Sequence, residues 1–376
     1  MRILFIDFSL PYLLKDSEYP AGGWATQLLA WINGLSKIKV DTGVLSWKGA
    51  AEYVGDNAPC RIIDTYPLGN HIPVLSYLKD YMPALKKGIR EYAPDVIIQA
   101  CAGTQTGVIA YLAKSMDIPF VHRVANDRDV DDRINSFLNW RERIAYKRGL
   151  SKASAVLCQN TYQESRIRKK YPNKPILTIA NPSILATMTR TPLPQMRRSY
   201  IAWIGRFVPQ KNLEELYCVA SAMRNHKFKI AGDTSSIPDQ KTSDIVKKIK
   251  ALENVEMTGF LKRSEIQKFL SKAHCLVSVS HYEGFSNVFL EAFAAGTPVL
   301  AYKRIDPDSI IEKHELGKAI DNNNDFANEL ELFLAQNDNV FEKIADNCVA
   351  YLEKNHTPEQ KAKELTTFLS SSLRAN

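Results

Sequence analysis

The chain has 376 residues, 45% of them hydrophobic and 24% charged, with 49 Lys and Arg against 41 Asp and Glu and a formal net charge of +8. This length favours two domains, and the composition excludes collagen-like, disordered and disulfide-scaffold classes. No run approaches the ~18–20 apolar residues that span a bilayer.

The opening run over residues 3–14 is apolar, but Asp7 interrupts it, Pro11 breaks it and no small-residue cleavage site follows. It reads as a buried first strand over residues 1–8, and a cytoplasmic protein is expected. A loop ending in Gly22-Gly23 and a helix over 24–35 come next. Further short apolar strands fall at 95–100, 120–125, 155–159 and 176–180, with helices at 77–92 and 134–148 between them. Short strands alternating with helices predict a parallel α/β sheet. Residues 181–196 hold Pro182, Pro192 and Pro194 without periodicity and read as a linker.

The pattern then restarts. Strands are predicted at 200–204, 227–231, 255–258, 275–280 and 298–301, and helices at 213–224, 245–252, 264–271 and 287–295. A terminal helix over 358–373 opens with Thr357 as its cap and Pro358 in its first turn. The predicted fold is α/β, with two doubly wound domains facing across a cleft. The domains span 1–185 and 196–355, and the helix of 356–376 crosses back to the first.

The six cysteines (Cys60, Cys101, Cys158, Cys218, Cys275 and Cys348) are scattered with no C-x-x-C pair. Neither a metal site nor a disulfide framework is expected, and most read as small core residues. Charge is divided unevenly. Residues 1–190 carry 25 Lys and Arg against 17 Asp and Glu, whereas the second half is neutral. That asymmetry points to an anionic partner for the first half: nucleic acid, an anionic membrane surface or a phosphorylated substrate.

Doubly wound sheets bind ligands at the carboxyl ends of their strands. Neither G-x-G-x-x-G nor G-x-x-x-x-G-K-[ST] is present, which argues against a standard dinucleotide or P-loop enzyme. Gly22-Gly23 would let backbone amides approach an anion at a helix N-terminus. In the second half, Gly205-Arg206 and Lys211-Asn212 place two cations after a strand and beside a helix N-terminus, which suits a diphosphate. Glu283 closes a strand, and Glu291 lies one to two turns into the next helix. Backbone amides of Phe285, Ser286, Asn287 and Val288 would face a phosphate or sugar oxygen at that helix start. Asp306-Pro307-Asp308 mimics a metal-binding Asp-x-Asp by a two-residue coincidence, and no metal is assigned.

Taken in order, Gly205-Arg206, Lys211-Asn212, Val255-x3-Gly259 and Glu283-Gly-Phe-Ser-x3-Leu-Glu291-Ala-x-Ala-x-Gly296-x-Pro298-Val299 closely resemble the retaining glycosyltransferases of family 4. The resemblance covers nearly all of the C-terminal half. It is looser before that, through Gly22-Gly23, the strand near His122, and Ile179-Ala180-Asn181. It implies the GT-B fold, with an acceptor-binding first domain and a nucleotide-sugar-binding second domain.

Position by position, the resemblance implies that Arg206 and Lys211 hold the donor diphosphate and stabilise the leaving nucleotide. Glu283 would contact the transferred sugar, Glu291 the ribose hydroxyls, and His122 the donor sugar near the reacting centre, with Gly23 close to the phosphates. The family often has Asp or Gly after this histidine, where the chain has Arg123. The implied reaction retains anomeric configuration by front-face attack, with no cofactor, no metal and no protein nucleophile. It would move a hexose-type sugar from a nucleotide-diphosphate sugar to a glycan or lipid-linked acceptor in lipopolysaccharide, O-antigen or capsule assembly. The basic first half would meet the inner face of an anionic cytoplasmic membrane as a peripheral protein. The competing readings are a non-catalytic sugar-nucleotide binder and a GT-B sugar-nucleotide epimerase. A nucleic-acid partner is not expected, because the ordered motifs sit in the neutral half.

Overall fold

A computed structural model describes residues 1–15, 17, 22–56, 58–67, 76–187, 192–233 and 239–373. The chain divides into two compact units, Met1–Pro182 with Pro358–Asn376, and Ser183–Thr357.

The first unit is built on seven strands: β1 (Arg2–Ile6), β2 (Asp41–Ser46), β3 (Arg61–Asp64), β4 (Val96–Ala100), β5 (Phe120–Arg123), β6 (Ala155–Cys158) and β7 (Ile176–Thr178). Their order is β3-β2-β1-β4-β5-β6-β7, and every pairing is parallel. Continuous apolar runs such as Ile3–Leu4–Phe5–Ile6 are buried along their length. Helices cover both faces of a parallel sheet, so such strands lose the polar alternation of a half-exposed one. One face packs Leu28, Trp31, Ile32 and Leu35 of the Gly23–Lys37 helix with Ala362, Leu365 and Leu369 of the Pro358–Ser372 helix. Those helices meet closely, since a Cβ on Gly34 would lie 2.1 Å from the Pro358 carbonyl oxygen.

The helix predicted over 134–148 is two pieces, Ile134–Phe137 and Trp140–Lys152. Asn139 makes the break. Its side chain accepts from the amides of Arg141 and Glu142 while Glu142 accepts from the Asn139 amide, a reciprocal cap that starts a new helix.

The second unit holds six parallel strands: β8 (Tyr200–Ile204), β9 (Phe228–Ala231), β10 (Val255–Gly259), β11 (Ala273–Ser278), β12 (Val299–Tyr302) and β13 (Gly317–Ile320), in the order β10-β9-β8-β11-β12-β13. The carboxyl ends of β8 and β9 crowd together. Gly232 has φ +151° and a Cβ there would lie 1.9 Å from the Gly205 carbonyl oxygen, so the approach admits glycine alone. Buried Arg198 anchors the amino ends, donating to the carbonyls of Leu193, Ala273 and Gly296 and to the Thr297 hydroxyl.

Cys158, Cys275 and Cys348 are core residues, whereas Cys101 and Cys218 are exposed and Cys60 is half-buried. The expectation of mostly buried cysteines therefore fits three of the six. Among the described residues no helix is long and apolar enough to cross a membrane.

Candidate functional site

In the second unit the strand order reverses between β8 and β11, the place where an open parallel sheet leaves a ligand crevice at its carboxyl end. The loops that leave these two strands carry the residues singled out from sequence. After β8 come Gly205 and Arg206, then a short turn Pro209–Lys211. Asn212 follows with φ +52°, before the Leu213–Ala222 helix. After β11 come His281, Tyr282 and Glu283, and then the Asn287–Ala294 helix.

The two loops are tied directly. Lys211 Nζ lies 2.7 Å from Glu283 Oε1, with the two side chains 17% and 11% exposed. Gln210 Nε2 donates to the Tyr282 carbonyl at 2.9 Å and to Glu283 Oε2 at 3.2 Å, and the Gln210 carbonyl accepts from the His281 amide at 2.9 Å. Glu283 is thereby held at both oxygens beside a fixed ammonium. Arg206 stands exposed on the same loop. A rigid, mostly buried ion pair next to an exposed guanidinium leaves net positive charge at the carboxyl end of β8, which suits a polyanionic ligand.

Phe285 and Ser286 are buried at the start of the Asn287–Ala294 helix, with the Phe285 ring 5.5 Å from that of His356, while Asn287 and Val288 are half-buried. Glu291 is half-buried in that helix. Its desolvation pushes the carboxyl up to about 7 against a smaller pull from Arg263.

The Asp306-Pro307-Asp308 motif does local work. Asp306 Oδ1 accepts from the Ile311 amide at 3.1 Å, and Asp308 has a left-handed backbone. Among the described residues no group of three or more His, Cys, Asp or Glu could hold a metal ion.

In the first unit Gly23 opens the Gly23–Lys37 helix, and Gly22 caps it with no side-chain bond. His122 departs from its implied role. It is fully buried, its Nδ1 is 3.1 Å from Gln99 Oε1, and its ring centroid lies 5.4 Å from that of Tyr146. Burial pushes its pKa down to about 3. The ring is therefore a neutral core group that presents no exposed atom to a ligand, because an interior position on β5 buries it under the Trp140–Lys152 helix. The adjacent Arg123 faces the opposite side of the sheet and contacts Gln27. Sequence reading missed Gln210, which nothing marks beyond its place beside Lys211. Arg123 was noted as the residue after His122 and counted among the basic side chains that would meet an anionic surface, whereas it is buried at 1% exposure.

Residues 189–354 match the family model described as glycosyl transferases group 1. An uncharacterised glycosyltransferase, MJ1178, of Methanocaldococcus jannaschii is 25% identical over 229 residues, which is 60% of this chain and 61% of that protein. The sucrose-phosphate synthase structure from Thermosynechococcus elongatus superposes with a TM-score of 0.78 at 16% identity over the whole of both chains. The Anabaena protein HepE, in complex with UDP-glucose, gives 0.77 at 18% identity over 99% of this chain and all of that one. The chain therefore has the GT-B fold of two Rossmann-like domains, and its residues 189–354 match glycosyl transferases group 1.

Proposed function

We propose that this chain is a retaining glycosyltransferase that moves a hexose-type sugar from a nucleotide-diphosphate sugar to a glycan or lipid-linked acceptor. The observation that carries this reading is the Lys211–Glu283 pair fixed across the β8–β11 switch point with Arg206 exposed beside it. Cleavage of a glycosyl–phosphate bond builds charge on the diphosphate, and cations held in place before the reaction stabilise that charge without reorganising. Arg206 supplies the mobile contact, and Lys211 the fixed one. Glu283, locked by Lys211 and Gln210, offers a carboxylate edge to sugar hydroxyls, and Glu291 does the same for the ribose. Amides around Phe285, Ser286, Asn287 and Val288 add the dipole of their helix. The family match over 189–354 and the UDP-glucose held by HepE support the choice of donor class. The reading assigns no protein nucleophile, and the departing phosphate takes the acceptor proton in a front-face attack.

The acceptor belongs with the first unit, and envelope polysaccharide assembly is the pathway this reading favours. The positive excess concentrates between residues 133 and 174, where eleven Lys and Arg stand against two Asp and Glu. Phe137, Trp140 and Ile144 are exposed in the same stretch. Basic side chains flanking exposed aromatics suit an anionic lipid surface. Salt-sensitive co-sedimentation with phosphatidylglycerol vesicles, lost when Arg141, Lys147 and Arg148 become Glu, is the expected result; equal pelleting with neutral vesicles would refute the membrane part.

Thermal-shift titration with UDP-, GDP-, ADP- and CMP-sugars tests donor binding, and the anomeric proton signal of the product tests retention. One nucleotide class should raise the melting temperature in wild type and not in Arg206→Ala. Binding without turnover on any glycan or lipid-linked acceptor would favour a non-catalytic binder.

A further inference from the structure

The loop between β11 and the Asn287–Ala294 helix is held by two different elements, and the second has no part in the chemistry assigned so far. From the loop after β8, Lys211 and Gln210 hold the Glu283 carboxylate. Phe285 is the one large apolar residue between Glu283 and Ser286, and it is buried in the core of the second unit. Its ring meets that of His356, centroid to centroid at 5.5 Å and tilted by 58°.

His356 is fully buried, and its backbone is fixed on both sides. It closes the Asp338–Asn355 helix, with its amide donating to the Leu352 carbonyl at 3.0 Å and its carbonyl accepting from the Ser183 amide at 2.8 Å. Ser183 and Thr357 are the first and last residues of the second unit, so the imidazole stands where the two ends of the unit are bonded together. Tyr351, earlier on the same helix, extends the contact. Its ring centroid lies 5.3 Å from that of His356 and 5.8 Å from that of Phe293. Two ring pairs, Phe285–His356 and Phe293–Tyr351, therefore join the Asn287–Ala294 helix and its approach to the end of the Asp338–Asn355 helix. The Ile184–Thr187 turn packs against both helices, with Ala186 in the same core.

Hydrogen-bond donors serve a ligand best when they are aimed before it arrives, because nothing then has to reorganise. Ser286 caps the Asn287–Ala294 helix without a side-chain hydrogen bond, so the direction of the amides at this helix start depends on what packs behind them. Aromatic rings at such separations attract one another beyond the area they bury. A buried ring on a pinned backbone is a rigid stop for Phe285.

We infer that His356 is a positioning residue for donor binding: its ring, packed behind Phe285, aims the backbone amides of residues 285–288. It touches no substrate itself. The ring contact rests on the geometry of the second unit, and only the use of those amides rests on the transferase reading.

The test uses the full chain, with UDP-glucose, GDP-mannose and ADP-glucose as probes in calorimetric titrations. Hydrogen exchange of a peptide over residues 283–290 is followed by mass spectrometry without ligand. His356→Ala should bind the preferred probe about 3- to 10-fold more weakly, the worth of one aromatic pair, and should exchange faster in that peptide than elsewhere in the unit. His356→Leu fills the space without an aromatic ring, and should show the same loss of affinity if the alanine variant does not fold. His356→Phe keeps a ring and should return both readings to within about twofold of wild type. Phe285→Leu combined with His356→Ala should bind no more weakly than the weaker single variant, because both remove the same contact.

Leu330→Ala controls for lost stability. Leu330 is fully buried on the Phe326–Leu334 helix, which packs on β13 and the Leu213–Ala222 helix. Its truncation should lower the melting temperature and leave probe affinity unchanged. Affinity within about twofold of wild type in both His356→Ala and His356→Leu overturns the proposal, as does an equal loss in Leu330→Ala. A His356→Phe protein that binds as weakly as His356→Ala overturns the ring contact as the cause. Loss of the transferase reading would appear separately, as wild type that binds none of the three probes; the exchange comparison then still decides whether His356 holds the loop.

Discussion

Replacing Glu291 by Gln is expected to stabilise the protein at alkaline pH while weakening nucleotide binding. In the folded chain burial raises the Glu291 carboxyl from 4.5 to about 7. The native state thus binds its proton more tightly than the unfolded chain does. For such a group unfolding stability is highest below the unfolded value, and falls as pH rises through the folded one. A tenfold change in proton affinity is worth ~1.36 kcal/mol, so above pH 7 the ionised, desolvated carboxylate costs up to about 3 kcal/mol relative to pH 4. Gln copies the protonated shape and carries no charge. The variant should match wild type near pH 4 and exceed it at pH 8 by up to about 3 kcal/mol, which is roughly 6–12 °C for a domain of this size. Scanning calorimetry of both proteins at the two pH values measures the difference directly, and other titrating groups cancel. In the same preparations nucleotide affinity should drop about 10- to 100-fold, because charge-assisted hydrogen bonds to hydroxyls become neutral ones. A variant that is equally or less stable than wild type at pH 8 would refute the argument from burial.

Three further substitutions or measurements separate structure from chemistry. Lys211→Ala leaves the mostly buried Glu283 carboxyl without its ammonium partner and with Gln210 as its remaining side-chain contact among the described residues, and should cost about 1–3 kcal/mol in urea unfolding; adding Glu283→Gln should recover most of that stability and none of the donor binding. Gly232→Ala drives a methyl into the Gly205 carbonyl at a backbone angle that disfavours side chains. It should destabilise the second unit by about 3 kcal/mol or more, and a variant that melts within a degree of wild type would remove the packing argument. The His122 ring protons should show no titration in NMR spectra between pH 5 and 8, because burial holds the imidazole neutral with its pKa near 3. A midpoint between 6 and 7 would return His122 to the list of groups that could face a ligand.

The alternation of short apolar strands with helices, and its restart after residue 196, already specified two parallel α/β sheets. Parallel strands are buried on both faces, and runs such as Ile97-Ile98 in β4 or Leu276-Val277 in β11 leave few other folds open. The placement of the second-unit candidates was legible for the same reason: Arg206, Lys211, Glu283 and Glu291 lie close to strand ends and a helix start, where local spacing sets position. What sequence could not supply is pairing across the sheet. Lys211 and Glu283 are 72 residues apart and meet only because β8 and β11 are neighbours at a reversal of strand order. Gln210 holds Glu283 for that reason too. His122 and Arg123 carry the same lesson in opposite directions. Adjacent residues on a strand point to opposite faces, and the tertiary packing of the Trp140–Lys152 helix buried one as a neutral core ring. The other is left as a cation against the first turns of the Gly23–Lys37 helix. A strand sequence gives the alternation; which helix covers each face is decided only when the sheet acquires its neighbours.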